Sequence, residues 1–230
     1  MQICLLIVLG TGTGLCMRRI AQWRRLGYPR LMRRLYARTA WCIGGGLWLC
    51  MAAQETLLLL DGKLTLQSGL PLHLCSALGV TALPMLLTGN RFLWHAALYL
   101  GMPGAVLALL FPAVAASPWQ EWMNLAFFGM HCLLALAPLL PLSLGKRPEP
   151  SGALHALAFI TLLGAVDLCV NALLNSNYLF LSLPAHGTPL ALLAGGGVWA
   201  YRAALLGLCT IALTVEAAAA FLWKYRLRLR

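Results

Sequence analysis

Residues 39–60 read TAWCIGGGLWLCMAAQETLLLL, a run of apolar and small side chains interrupted by a single charged group, Glu55. Wound as a helix at about 1.5 Å per residue, the run is about 33 Å long, enough to cross the roughly 30 Å hydrocarbon core of a bilayer. Before it, Arg18 to Arg38 holds eight arginines and no acid, and after it comes Asp61-Gly62-Lys63. An apolar run of spanning length between charged flanks predicts a transmembrane helix.

The same pattern recurs along the chain. Apolar runs over about 3–17, 39–60, 70–87, 92–111, 122–142, 153–174 and 198–223 predict an all-α, polytopic protein of about seven spans in a single transmembrane domain covering 1–230. The first run is the shortest and the weakest as a span. Of the 230 residues, 61% are hydrophobic and 10% charged, against about 25% charged in a soluble domain. There is too little polar side chain to cover a globule, which excludes a water-soluble fold.

The net charge of +11 is placed for a membrane and not for nucleic acid. The arginines of 18–38, Arg91, Lys146-Arg147, and Lys224, Arg226, Arg228 and Arg230 fall in alternate connections. Only Lys63 and Arg202 remain for the other side. This is the positive-inside bias, so the N-terminus is expected outside and the C-terminus inside, with Trp223 and Tyr225 as an interfacial anchor. The stretch 18–38, broken by Gly27 and Pro29, is expected to lie as a basic connection on the anionic inner leaflet. The expected location is a cell membrane, crossed several times.

Cys4, Cys16, Cys42, Cys50, Cys132, Cys169 and Cys209 lie inside apolar runs, where cysteine packs as a small hydrophobe, and no CxxC pair marks a metal site. Ionisable groups inside spans are costly and point to function. They are Glu55, His73, His95, His131, Asp167 and Glu216, with Glu121 at a mouth; His155 and His186 lie at span ends or in connections. Under this topology Glu55, His73, Cys75 and Asp167 sit toward the outer ends of their spans, with His131 roughly 15 Å deep. Asp167, Asn171 and Asn175 recur every four residues and predict one polar stripe. Glu216 has no evident partner.

A thiol becomes a nucleophile when a base removes its proton. His73 lies too near Cys75 along a helix to share its face, so His131 is the candidate base, with Asp167 or Asn171 to orient it. Interhelical hydrogen bonding explains the same residues and, on the residues alone, is the stronger of two readings that both stay open at this level. A zinc site from His73, Cys75, His131 and Asp167 is a further possibility without a tight ligand motif.

Leu70-Pro71-Leu72-His73-Leu74-Cys75, preceded by Glu55 and followed by His131 and by Asn177-Tyr178-Leu179-Phe180-Leu181, resembles the YwaF-like integral membrane proteins. These are similar to the eukaryotic transmembrane protein 164 acyltransferases. The resemblance covers nearly the whole chain. It implies a lipid acyltransferase needing no cofactor, with Cys75 as nucleophile and His131 as base, moving an acyl chain from a phospholipid to a lysophospholipid. Glu55, His73, Asp167, Asn171, Asn177 and Tyr178 are the implied supporting groups. The alternative is a non-enzymatic membrane protein, a lipid or small-molecule transporter or an assembly partner, although no paired helix breaks in symmetric halves favour a transporter.

The orientation is testable. A membrane-impermeant maleimide added to intact cells is expected to label a cysteine placed at Gly62 and to spare one placed at Pro148; the reverse pattern overturns the topology.

Overall fold

In lipid a peptide group has no water to bond, so a spanning segment must satisfy its own backbone, and a helix does so. The computed structural model describes residues 2–114, 116–184 and 189–228, and those residues contain helices and no strands. His186 and Arg230 fall outside them. Seven helices form the bundle: α1 (Gln2–Arg25), α2 (Pro29–Leu60), α3 (Leu74–Thr88), α4 (Arg91–Leu110), α5 (Gln120–Leu144), α6 (Gly152–Leu174) and α7 (Gly197–Arg228). Six are long and apolar enough to cross a membrane, and α3, at 15 residues, is shorter.

Three expectations change. The weak span is the third, not the first. α1 runs 24 residues because the arginines that follow its apolar part continue the helix, arginine being a good helix former. Residues 18–38 are therefore no surface loop. They are the ends of two helices, broken only at Leu26-Gly27-Tyr28, where Gly27 takes φ +76° and Pro29 opens α2 without needing its missing N–H. The third helix starts at Leu74 and not at Leu70. Pro71 disfavours helical geometry at Leu70, and a turn closed by the Ser68 and Gly69 amides on the Thr65 carbonyl (3.1 and 2.8 Å) precedes it.

α2 and α5 lie at the heart of the packing, each against α1 and α3, with α4 beside α5. Glycine faces let the backbones approach. A Cβ at Gly44 of α2 would lie 2.5 Å from Leu83 Cβ of α3, and one at Gly79 of α3 would lie 2.9 Å from Met51 Sδ. A Cβ at Gly129 of α5 would lie 3.0 Å from Cys50 Sγ. α4 changes partners along its length: Arg91–Ala96 packs on α6, whereas Met102–Leu110 packs on α5. Between them Ala97–Gly101 winds as a π-turn, whose wider ring accommodates one extra residue.

The two ends of the bundle differ in charge. At one end Lys146 Nζ donates to the Gly89 carbonyl (2.8 Å), Arg91 pairs with Glu149, and Arg24 lies against Gly145. Burial, and then the neighbouring Arg91, push Lys146 below the ordinary lysine range. At the other end Lys63 Nζ donates to the Ala116 carbonyl (2.6 Å) and Arg202 Nε to the Leu181 carbonyl (2.9 Å). The structure thus collects the basic connections at one end, the inner one by the charge bias.

Gly44→Val is expected to lower stability in detergent by about 1–3 kcal/mol, because the facing Leu83 backbone cannot yield. Gly45→Ala, with nothing within 4 Å of its added Cβ, is expected to be neutral or slightly stabilising. Equal thermal shifts in the two variants would contradict this packing.

Candidate functional site

His73 is the residue before α3, in extended geometry (φ −66°, ψ 147°), and its side chain makes no capping bond. Cys75 is therefore the second residue of the helix. Among the described residues the Leu74, Cys75 and Ser76 N–H groups find no acceptor, and the first amide to bond is Ala77, on the His73 carbonyl (2.9 Å). An uncapped first turn carries the positive end of the helix dipole and donors free for an anion. Cys75 is partly exposed as a residue, and its thiol packs against α4, where a Cβ at Gly104 would lie 4.0 Å from Sγ.

His131 is buried in α5. Its Nδ1–H donates to the Phe127 carbonyl one turn earlier (2.8 Å), leaving the lone pair on Nε2. The expected orienting group, Asp167 or Asn171, is replaced by the histidine's own helix. Depth follows from a shared contact. At Gly101 of α4 a Cβ would meet Leu78 of α3 (3.0 Å) and Leu134 of α5 (3.8 Å). Cys75 and His131 each precede one of these leucines by three residues, and Gly104 follows Gly101 by three on the helix running the other way. Residues three apart share a helix face, which puts Cys75, Gly104 and His131 at a similar depth outward of that contact; no hydrogen bond joins Cys75 to His131 among the described residues. Gln54 of α2 reaches the same region through Nε2 to Met130 Sδ (3.5 Å), a neighbour the sequence reading passed over because an amide in an apolar run carries no charge signal.

A short strap after α6 covers the approach to α3. Asn171 Oδ1 accepts from the Tyr178 amide (2.7 Å) and the Ser176 hydroxyl (2.8 Å), and its Nδ2 donates to the Tyr178 carbonyl (3.0 Å). Tyr178 is fully buried; its hydroxyl accepts from the Leu70 amide (3.0 Å) and donates to the Leu66 carbonyl (2.8 Å). The His73 ring lies 5.3 Å from the Tyr178 ring and 4.8 Å from Phe180. Leu179 and Phe180 are both left-handed (φ 54° and 53°), which costs about 1–2 kcal/mol per non-glycine residue and is held by the surrounding bonds. Asn177 secures the far side, its Oδ1 accepting from Ser182 N (2.9 Å) and Leu183 N (3.2 Å).

Glu55 lies under this region, its Oε2 3.2 Å from where a Cβ of Gly69 would stand. Asp167 is fully buried, and neither carboxylate oxygen has a hydrogen-bond partner among the described residues. Burial raises the Tyr178 phenol above its ordinary range; the Leu70 N–H partly offsets this, while the charges of Glu55 and Asp167 add to it. The expected stripe is two residues long, because Asn175 is exposed and ends α6 in left-handed geometry (φ 52°).

A second polar group occupies the inner end. His95 is fully buried, stacked on His155 with Nδ1 facing Nδ1 at 2.9 Å, so one imidazole donates to the other. Tyr99 donates to the Glu149 carbonyl (2.6 Å), and Gly152 lies flat on the His95 and Tyr99 rings. His95 is thus an internal residue, and His155, which carries little signal in the sequence, is its partner. The pairing spans sixty positions, beyond any local pattern. All eight cysteines are free. Among the described residues no three His, Cys, Asp or Glu side chains converge as metal ligands.

A protein-family model described as the TMEM164 family matches residues 1–215. No curated protein and no solved structure matches the chain.

Asn171→Ala removes three hydrogen bonds from the strap and leaves Tyr178 backbone groups buried without partners, a loss of about 1–3 kcal/mol. Amide exchange of residues 176–183 is expected to accelerate strongly, while that of α2 and α5 stays unchanged. Uniform acceleration would show that the strap has no separate role.

Proposed function

The chain belongs to the TMEM164 family, and on that premise we propose that it is a membrane-embedded acyltransferase in which Cys75 carries the acyl chain and His131 moves the proton. What supports this most is the placement of two groups, each one turn from a leucine that meets Gly101: a thiol on the uncapped first turn of α3 and an imidazole whose Nδ1 is committed to Phe127, with Nε2 left as the basic atom; no hydrogen bond joins the two among the described residues. That placement suits Cys–His chemistry, in which a base activates the thiol and a fixed partner sets the tautomer.

In this reading His131 Nε2 takes the Cys75 proton as sulfur attacks a phospholipid ester carbonyl. The tetrahedral oxyanion is stabilised by amide donors of the α3 first turn. Its collapse breaks the C–O bond, and the departing lysophospholipid oxygen receives the proton from His131. A second lysophospholipid hydroxyl then attacks the thioester. His131 accepts its proton and returns it to the leaving sulfur, so the cycle consumes no external reagent. Tyr178, Asn171 and Asn177 hold the strap, with Glu55, His73 and Asp167 as the polar groups near it. The location that fits is a bacterial cytoplasmic membrane, with phospholipids as the substrates.

Purified protein incubated with a phospholipid labelled in one acyl chain, then quenched in acid, is expected to hold hydroxylamine-sensitive label on Cys75. Cys75→Ala is expected to abolish both the label and the transfer. His131→Ala is expected to slow transfer by roughly 10²–10⁴-fold. Undiminished transfer by the Cys75→Ala protein would overturn the mechanism and leave the transporter or assembly reading standing.

A further inference from the structure

The structure points to a specific task for Tyr178 that the acyl-transfer chemistry does not by itself assign. We infer that Tyr178 is a positioning residue: by bridging the Leu66 carbonyl and the Leu70 amide, its hydroxyl fixes where α3 begins and so aims the first-turn N–H groups at the Cys75 thiol. The inference rests on the reading of Cys75 as a nucleophile.

Three independent features carry it. The residues leading into α3 have little to hold them, since His73 caps nothing and Pro71 offers no N–H. Within Leu66–Leu72 the backbone bonds are local, between Thr65 and Ser68 or Gly69 and between Leu70 and Leu72. The long-range tie is the phenol, which joins Leu66 and Leu70 to a residue more than a hundred positions away. A neutral phenol is needed to donate and accept at once, and the burial of Tyr178 keeps it neutral.

The second feature is the side of the ring. Tyr178 and Phe180 both lie against the His73 imidazole, so the residue that begins α3 is gripped by the strap as well as tied to it. The third is the rigidity of the strap. Asn171 binds both backbone groups of Tyr178, and the left-handed pair Leu179-Phe180 turns the chain so that the ring at 180 reaches His73. A residue needed only to fill space would not require its backbone bracketed, its hydroxyl doubly used and two adjacent residues strained.

Removal of the hydroxyl loosens the α3 start without opening a cavity. The free amides then lose their fixed direction, and the dipole support for sulfur anion weakens. The titratable groups around this approach are His73, Glu55 and Asp167, with His131 on α5 at a similar depth to Cys75; Tyr178→Phe leaves all of them in place.

The test uses the full chain in detergent, alkylated with N-ethylmaleimide over a pH series, with the rate read for each cysteine by peptide mass spectrometry. In Tyr178→Phe the Cys75 profile is expected to move to higher pH by about half a unit or more, while the profile of Cys42, exposed on α2, stays put. An unmoved Cys75 profile in a folded Tyr178→Phe protein overturns the inference, as does an equal shift at both cysteines, the mark of general loosening. Where Tyr178→Phe fails to fold, Phe180→Leu takes its place, with a smaller shift of the same sign expected and an unmoved profile overturning the inference. The outcome is separable from the proposed function. A moved profile with undiminished transfer in Cys75→Ala refutes the acyl mechanism alone, and an unmoved profile with transfer lost in Cys75→Ala refutes the role of Tyr178 alone.

Discussion

Three helices converge on the bare face of Gly101, and the depth of the candidate site follows from that contact. Leu78 from α3 and Leu134 from α5 close over the glycine, where a larger side chain would hold them apart. A lipid environment gives helices no solvent-driven reason to associate, so close approach at small residues is what keeps them together. Gly44, Gly79 and Gly129 repeat the device between α2, α3 and α5. Given the Gly101 contact and the rise of the helices, Cys75 and His131 stand at a similar depth, each three residues outward of a leucine that meets Gly101.

Much of this was legible in the chain itself, and the reasons for the exceptions are physical. Long apolar runs with arginines on alternate sides leave little choice of class, and the basic connections do gather at one end of the bundle. Helix ends were less legible. The arginines after residue 17 look like a loop to hydropathy, but their backbone has every reason to stay helical. Leu70 to His73 look like the start of a span, but Pro71 and the Thr65 turn hold them out of it. The two residues of the proposed dyad could be named from types and a resemblance. What orients His131 could not, because a histidine bonded to the carbonyl four residues earlier leaves no trace in composition.

The polar residues divide between two sites at opposite ends, and each is built from segments far apart in sequence. At the outer end Asn171, Tyr178 and the Leu66–Leu70 turn satisfy one another almost completely, as burial in a low-dielectric setting requires. At the inner end His95 and His155 share one hydrogen bond between α4 and α6. Charge and spacing flag such groups one at a time; only the folded chain shows which are partners. Asp167 stands apart from both patterns, since it is wholly buried and its oxygens find no partner among the described residues.

The π-turn at Ala97–Gly101 lets one helix serve both sites. Inward of it α4 presents His95 to α6; outward of it the same helix presents Gly104 to the thiol of α3. The extra residue in that turn changes the phase of everything beyond it, since each residue of an α-helix advances the face by about 100°. The property under constraint at this point is therefore chain length as well as the bareness of Gly101. Loss of any one position would swing Gly104 away from Cys75 and put a bulkier face in its place. A gap or an insertion at this turn in a related sequence would thus mark a chain whose two ends have been uncoupled, however well its cysteine and histidine are kept.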